Sequence, residues 1–212
     1  MHKDQIISQL IKEKIITISP DKPFTYASGM LSPIYTDLRL TVSYPDLRDM
    51  IASDLANLIA AEFPQATIIG GVATAGIPHA ALVAEKLHLP MIYVRSKPKD
   101  HGKGRQIEGR FSENDQIVLI DDLITTGGSV LNAVKATEKD GGKVAGVASI
   151  FTYYLPDAKE NFKEANVKYT PLLSYPELLK KENESGHITS DQYDILKTWH
   201  EDPWAWGKKF NS

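Results

Sequence analysis

The segment with the clearest chemical signal joins two carboxylates to a glycine-rich turn. Residues 117–129 have the sequence Ile-Val-Leu-Ile-Asp-Asp-Leu-Ile-Thr-Thr-Gly-Gly-Ser, in which a run typical of a buried strand precedes Asp121 and Asp122. A helix is predicted to follow the glycines, and backbone N–H groups at a helix N-terminus bind a phosphate monoester. Because two carboxylates beside that phosphate would repel it, we expect them to face neutral hydroxyls or a hydrated cation. A ribose 5-phosphate satisfies both demands.

Two further segments favour a phosphate-rich ligand. Residues 70–78, Gly-Gly-Val-Ala-Thr-Ala-Gly-Ile-Pro, form a second strand-to-helix turn of small residues. Residues 95–110, here called the lid segment, carry six basic and two acidic residues, a charge of +4. Since the whole chain has a net charge of −3, the other 196 residues sum to −7. With glycines at 102, 104 and 109, we expect the lid segment to close over a polyanion and to exclude water.

Alternating strands and helices must position these segments. Apolar runs predict strands over 15–18, 67–71, 91–94, 116–120, 143–151 and 167–172, and helical periodicity predicts helices over 4–14, 43–59, 77–87, 130–139 and 157–165. Strands that are apolar on both faces and separated by helices indicate an α/β fold with a parallel sheet covered on both sides. In such a sheet, ligands bind beyond the carboxyl ends of the strands, where the turns described above are expected to lie.

Capping residues and tryptophans give further predictions about the termini of the elements. Ser43 with Asp46, Ser174 with Glu177, and Thr189 with Gln192 are each typical of the start of a helix. All three tryptophans, Trp199, Trp204 and Trp206, lie in the C-terminal tail and are expected to pack onto the domain.

Composition excludes several classes of protein. A chain of 212 residues is expected to form a single domain, and the absence of cysteine excludes disulfides, thiolate metal sites and thiol nucleophiles. Proteins that bind nucleic acids gain most of their affinity by neutralising phosphates with basic side chains. A weakly acidic chain is poorly suited to this. No uninterrupted apolar run approaches the roughly 20 residues that cross a bilayer. We therefore expect a cytoplasmic protein that binds neither nucleic acid nor membranes.

Several motifs together resemble one enzyme family. Residues 117–129 resemble the motif with which type I phosphoribosyltransferases bind 5-phosphoribosyl 1-diphosphate (PRPP). The run Arg95-x-Lys-x-Lys-Asp-His-Gly102 resembles the catalytic loop of the orotate phosphoribosyltransferase family. Residues 24–33, Phe-Thr-Tyr-Ala-Ser-Gly-x-x-Ser-Pro, are similar to that family's N-terminal signature. The resemblance implies a type I phosphoribosyltransferase fold, with a central, mainly parallel sheet flanked by helices, in one domain over residues 1–212. Residues 1–40, the hood segment, would contribute a small hood.

The resemblance also implies a reaction and a set of site residues. The reaction transfers ribose 5-phosphate from PRPP to orotate, giving orotidine 5′-monophosphate and diphosphate in pyrimidine (UMP) biosynthesis, with Mg²⁺ as cofactor and no metal ligands from the protein. A homodimer is implied, in which the lid segment reaches into the partner's site. The catalytic set would be Lys99, His101, Asp121 and Asp122. The substrate-binding set would be those four with Arg95, Leu123, Ile124, Thr125, Thr126, Gly127, Gly128, Ser129 and Tyr35. Within it, Arg95, Lys99 and His101 would contact PRPP, residues 121–129 would hold the ribose phosphate, and Tyr35 would lie near the base.

Four positions depart from the better-known family pattern. Lysines are replaced at Ala27, Ala75 and Ser96, and Tyr153 falls where other members place an arginine on the orotate carboxylate. The residue that binds this carboxylate is therefore open, and Lys97 is expected to supply part of the lost charge.

Two other functions share the PRPP motif. A purine phosphoribosyltransferase would keep residues 117–129, but the lid motif and the Ser-Gly-x-x-Ser-Pro run argue against it. A PRPP-sensing regulator would need a nucleic-acid-binding face, for which the acidic remainder of the chain offers little.

Overall fold

The computed structural model describes residues 1–26, 29–97 and 106–209. The strands in these ranges are Ile16–Ile18 (β1), Phe24–Thr25 (β2), Leu31–Ser32 (β3), Ile34–Thr36 (β4), Ile68–Val72 (β5), Met91–Val94 (β6), Ile107–Glu108 (β7), Gln116–Ile124 (β8), Lys143–Thr152 (β9) and Tyr169–Ser174 (β10). The helices are Lys3–Lys12 (α1), Pro45–Glu62 (α2), Gly76–Leu87 (α3), Gly128–Lys139 (α4), Pro156–Glu164 (α5), Tyr175–Glu184 (α6), Ser190–Glu201 (α7) and Pro203–Lys208 (α8), and a 3-10 helix spans Leu38–Ser43.

A six-stranded sheet forms the centre of the fold. Its strand order is β10-β9-β8-β5-β6-β7, and all pairs are parallel except β6 with the short edge strand β7. Side chains of β8 alternate between two apolar layers: Val118 and Ile120 pack with α2 and α3, whereas Ile117 and Leu119 pack with α4 and α5. Helices therefore cover both faces, which confirms the parallel α/β sheet predicted from the doubly apolar strands.

The strand order reverses between β5 and β8. From β5 the chain continues to β6 on one side, and then returns to β8 on the other side of β5. Connections that leave adjacent parallel strands in opposite directions open a crevice at their carboxyl ends, where ligands of such sheets bind. The turns after β5 and β8 border this place, which we call the crevice.

The two ends of the chain pack against each other beside the sheet. The hood segment contains two antiparallel pairs, β1 with β4 and β2 with β3. Trp199 of α7 is fully buried, and its indole Nε1 donates a hydrogen bond of 3.0 Å to the carbonyl of Leu31 on β3. Trp206 is also buried, as predicted, whereas Trp204 is 51% exposed and does not follow the prediction of packing. No helix among the described ranges is both long and apolar enough to span a bilayer.

Element boundaries depart from the sequence predictions at two places. Ser43 does not begin α2, because it ends the 3-10 helix and the α-helix begins at Pro45. Strand β8 does not end at residue 120: pairing with β9 carries it to Ile124, so that both aspartates lie within the strand. The two other capping predictions are confirmed, since Ser174 and Thr189 each form a complete capping box with the residue three positions later.

Candidate active site

Two neighbouring carboxyl groups lie at the crevice end of β8. Asp121 is 8% exposed, Asp122 is partly buried, and the backbone N–H of Asp122 donates to Asp121 Oδ1 at 3.0 Å. Burial raises the pKa of both carboxyls, and the charge of Asp122 raises that of Asp121 further. Functional sites are enriched in ionisable groups whose surroundings oppose ionisation. In the described structure this pair therefore marks the crevice as the candidate active site.

The turn after β8 is shaped by α5 behind it. Gly127 has φ +83°, a left-handed conformation that favours glycine, and a Cβ there would lie 2.7 Å from the ring of Phe162. The side-chain amide of Asn161 donates to the carbonyl of Thr126 at 2.9 Å. Helix α4 begins directly afterwards at Gly128. The turn therefore places the N-terminal N–H groups of α4 at the crevice, in the arrangement suited to a phosphate.

The turn after β5 is packed closely against the end of β8. The N–H of Ala73 donates to the carbonyl of Val94 on β6 at 2.9 Å, and the peptide bond between Ala73 and Thr74 is cis. At Gly76, the first residue of α3, a Cβ would overlap the carbonyl oxygen of Ile120 and lie 3.2 Å from the Cα of Asp121. Only glycine allows this approach. The two turns and the two carboxylates consequently border the same crevice.

Arg39 lies near Asp122 of the crevice, and Tyr35 of the hood segment lies near Arg39. Tyr35 is 41% exposed, and its ring centroid lies 5.5 Å from that of Phe24. Arg39 donates from Nε and Nη2 to the two oxygens of Asp37 at 2.6 and 2.9 Å. Although burial raises the pKa of Asp122, the nearby charge of Arg39 acts on that pKa in the opposite direction. Sequence reasoning did not single out Arg39, for which the only signal is its position just after the N-terminal motif.

Two residues of the lid segment, Arg95 and Gln106, bind each other at the edge of the sheet. The N–H of Arg95 donates to the carbonyl of Gln106 at 2.9 Å, and the side-chain amide of Gln106 donates to the carbonyl of Arg95 at 2.7 Å. Arg95 follows β6 directly, at the carboxyl end of the sheet. Lys99 and His101, the sequence-predicted lid residues, lie outside the described residues, as does Ala27.

Tyr153 belongs to an aromatic cluster of the core. It is 1% exposed, receives a hydrogen bond of 2.8 Å from the hydroxyl of Tyr26, and packs edge-on against Trp199 at a centroid distance of 5.7 Å. His200 Nε2 lies 2.8 Å from its carbonyl oxygen. With its ring buried and its hydroxyl engaged, Tyr153 is placed to hold the C-terminal helices and is not presented to a ligand.

Comparison with known proteins agrees with this geometry. Residues 46–173 match the family model described as phosphoribosyl transferase domain. The chain is 99% identical over 212 residues to the orotate phosphoribosyltransferase of Lactobacillus johnsonii, covering 100% of both chains. It is 53% identical over 203 residues to the orotate phosphoribosyltransferase of Levilactobacillus brevis, covering 96% of this chain and 97% of that one. The crystal structure of orotate phosphoribosyltransferase from Aeropyrum pernix has the same fold, with a TM-score of 0.72 and 24% identity over 84% of this chain and 98% of that one.

Proposed function

This chain belongs to the orotate phosphoribosyltransferases, within the phosphoribosyl transferase family, and on that premise we propose its reaction and mechanism. It transfers ribose 5-phosphate from PRPP to N1 of orotate, giving orotidine 5′-monophosphate and diphosphate in pyrimidine biosynthesis. The observation that carries this proposal is the crevice at the strand-order reversal. There, a pair of carboxyls, one buried and one partly buried, adjoins a helix N-terminus suited to phosphate.

The mechanism follows from the charges at the crevice. The bond between C1′ and the diphosphate oxygen breaks, the bond between orotate N1 and C1′ forms, and positive charge builds on the ribose ring, as in glycosyl transfer generally. Asp121 and Asp122 accept hydrogen bonds from the ribose hydroxyls and stabilise that positive charge. Residues 123–129, with the N-terminus of α4, hold the 5-phosphate, and Tyr35 lies beside the base. As the bond to C1′ forms, the N1 proton of orotate passes to an oxygen of the departing diphosphate, so the reaction requires no strong base from the protein.

The departing diphosphate carries the remaining charge. Arg95, Lys99 and His101 bind it, and Lys99 and His101 neutralise or protonate it as the bond to C1′ breaks. The lid segment closes over these groups and excludes water, while the hood segment covers the base from the other side. Support for a hinged lid comes from the paired hydrogen bonds between Arg95, its first residue, and Gln106, which join these two positions at the edge of the sheet.

Magnesium is expected to accompany PRPP. Among residues 1–26, 29–97 and 106–209, no three His, Asp or Glu side chains converge on a common point. A magnesium ion bound at the crevice would take most of its ligands from PRPP oxygens and water, since Mg²⁺ keeps several waters and needs few protein ligands. Bound in that way, it would offset negative charge on the diphosphate.

The substrate assignment is tested by offering alternative bases. We expect the protein with PRPP and Mg²⁺ to consume orotate and to release diphosphate, with little or no turnover of uracil, adenine, hypoxanthine or xanthine. Chromatography of the nucleotide products measures the outcome. Consumption of a purine instead of orotate would contradict the proposal, and PRPP binding without any turnover would favour a regulator that senses PRPP.

We propose a homodimer in which each lid segment serves the partner's crevice, and mixed dimers test this arrangement. Lys99→Ala and Asp122→Asn are each expected to be inactive, because one lacks a lid cation and the other a ribose ligand. After subunit exchange, one site of each hybrid dimer receives both wild-type groups, so about one quarter of the wild-type activity returns in an equal mixture. Exchange is verified with a tagged subunit. Proven exchange without recovered activity would show that the lid acts within its own subunit.

A further inference from the structure

We propose that Arg39 binds the carboxylate of orotate and thereby selects orotate over bases that lack this group. The inference rests on the proposed function, of which it specifies the base-binding side. It starts from a charge problem at the crevice. Orotate is an anion whose carboxylate lies next to N1, the atom that attacks C1′, so it must approach the ribose ligands Asp121 and Asp122. Like charges this close repel strongly in a partly buried site, and a cation is required between them.

Other candidates for this cation are poorly placed. Tyr153 has no positive charge to offer, its ring is buried, and its hydroxyl is engaged by Tyr26. Arg95 follows β6, which is separated from β8 by β5, so its backbone lies about 10 Å from the end of β8. Its guanidinium also faces Glu108, with Nη1 3.8 Å from the carboxylate. Arg95 is thus situated on the side of the crevice where the turn after β5 lies.

Arg39 is positioned on the opposite side, where the base must enter. The 3-10 helix that carries it contacts β8, and Tyr35 on the preceding strand presents a partly exposed ring next to it. Its positive charge reaches both Asp122 and Tyr35, since it influences the pKa of Asp122 and is itself influenced by Tyr35. The guanidinium therefore lies near both Asp122, a proposed ribose ligand, and Tyr35, the proposed neighbour of the base.

The geometry of the guanidinium fits a carboxylate. Asp37 occupies the edge formed by Nε and Nη2 with two hydrogen bonds. Within the part of the chain that the structure describes, these are the only hydrogen bonds of the Arg39 side chain, which is 68% exposed. The second edge, formed by Nη1 and Nη2, still has donors in the planar arrangement that binds a carboxylate with two parallel hydrogen bonds. Asp37 thus orients the group while leaving its other edge available.

The backbone that supports Arg39 is held from behind. Thr41, in the same 3-10 helix, is fully buried and donates its hydroxyl to the carbonyl of Leu38 at 2.6 Å. Its oxygen also lies 3.1 Å from Nε2 of His79, a buried residue of α3. Helix α3 itself begins at the turn beside β8. The backbone of Arg39 is therefore held by contacts to α3, the helix that also borders the crevice. Such support favours a fixed position of the guanidinium for binding.

The experiment compares ligands that differ only in the carboxylate. Wild type, Arg39→Gln and Arg39→Lys are assayed with orotate and with uracil, with KM for PRPP measured in parallel. Binding of orotidine 5′-monophosphate and of uridine 5′-monophosphate is measured by calorimetry, so that the preference is obtained even where uracil turnover is too slow to detect. Lys180→Gln is the matched control, because it removes an exposed cation that pairs with a carboxylate, Glu184, away from the crevice.

A selective loss is expected. A bidentate, charge-assisted pair contributes about 2–3 kcal/mol, so Arg39→Gln should reduce the preference for the carboxylated ligand by about 30- to 150-fold. In Arg39→Gln, KM for PRPP should change by less than about threefold. The preference of Arg39→Lys should fall between those of wild type and Arg39→Gln, because lysine keeps the charge but lacks the planar fork of donors. Lys180→Gln should have the same preference as wild type.

The outcomes separate this inference from the proposed function. An unchanged preference in Arg39→Gln, while wild type forms orotidine 5′-monophosphate, would overturn the inference alone. An equal loss for both nucleotides together with a raised KM for PRPP would also overturn it, since Arg39 would then bind the donor. Wild type that neither converts orotate nor prefers the carboxylated nucleotide would overturn the proposed function and the inference together.

Discussion

Asp121→Asn is expected to give a protein that unfolds at a higher temperature than wild type and has almost no activity. Without substrates, the buried carboxyl at position 121 is held beside Asp122 in an environment that disfavours its charge. An amide of nearly the same shape removes that charge. We expect a gain of about 1 kcal/mol or more, which for a chain of this size raises Tm by roughly 2–4 °C.

The pH dependence of this gain has a defined sign. Burial raises the pKa of Asp121 and Asp122 above the usual carboxyl value of about 4. The folded state therefore binds protons more tightly than the unfolded chain, and its stability falls as the pH rises from about 4 through the raised values. The difference in Tm between Asp121→Asn and wild type should disappear near pH 4 and grow as the pH rises to about 8, the raised pKa of Asp121. Thermal unfolding across this range measures it, and a difference that is independent of pH would contradict the explanation.

The same substitution removes a proposed ligand of the ribose. We expect kcat/KM to fall by about 10²- to 10³-fold, the usual effect of removing a preorganised group that stabilises transition-state charge. Asp115→Asn is a control just before the same strand. Asp115 accepts hydrogen bonds from the N–H and hydroxyl of Ser112 and from the hydroxyl of Thr67, and the bonds from Ser112 lower its pKa. Asp115→Asn should therefore lose stability and keep its activity, the reverse of the result at Asp121.

Gly76→Ala is expected to destabilise the fold and to weaken PRPP binding together. The new methyl group would overlap the carbonyl of Ile120 and lie too close to the Cα of Asp121. Backbone atoms cannot relieve such a clash by changing rotamer, as a flexible side chain can. Helix α3 must then separate from β8. We expect a loss of about 3 kcal/mol in the free energy of unfolding, at the upper end of the usual range for overpacking.

A kinetic comparison distinguishes local distortion from general loss of stability. Measured at a temperature where Gly76→Ala is fully folded, KM for PRPP should rise by about tenfold or more, because both turns of the crevice are displaced. Gly207→Ala is the matched control: it lies in α8, where the added methyl would make an ordinary contact of 3.4 Å with Leu31. This control should unfold at about the wild-type temperature or slightly above it. Folded Gly76→Ala with unchanged KM for PRPP would contradict the close packing described at the crevice.

The sequence allowed the sheet and the order of its turns to be predicted, because apolar periodicity depends on which faces are buried. It did not reveal that β8 continues through the aspartates. Two carboxylates normally suggest that a buried strand has ended, whereas here the pairing of Leu123 with Phe151 and of Ile124 with Thr152 extends it. That extension is tertiary information, since the partner strand lies more than twenty residues further along the chain.

Tyr153 and Arg39 show the same limit on the side of the base. The environment of Tyr153 is created by Trp199 and Tyr26, which are distant in sequence, so no local pattern indicates that its ring is buried. The sequence around Arg39 is typical of a protein surface. Only the fold brings its 3-10 helix into contact with β8. Sequence motifs located the two turns and the carboxyl pair of the crevice, whereas the arrangement around Tyr153 and Arg39 depends on contacts between distant segments.

The hydrogen bond between Trp199 and Leu31 has a consequence for biosynthesis of the chain. It joins residues 168 positions apart, and the bond from Tyr26 to Tyr153 spans 127 positions. During synthesis, the sheet can form while the first forty residues still lack the helices that cover them. Contacts of such long range close late, and apolar side chains of the early segment, such as Met30 and Ile34, stay accessible to chaperones until then. The hood segment, made before the helices that cover it, is therefore among the last parts of the structure to reach its final packing.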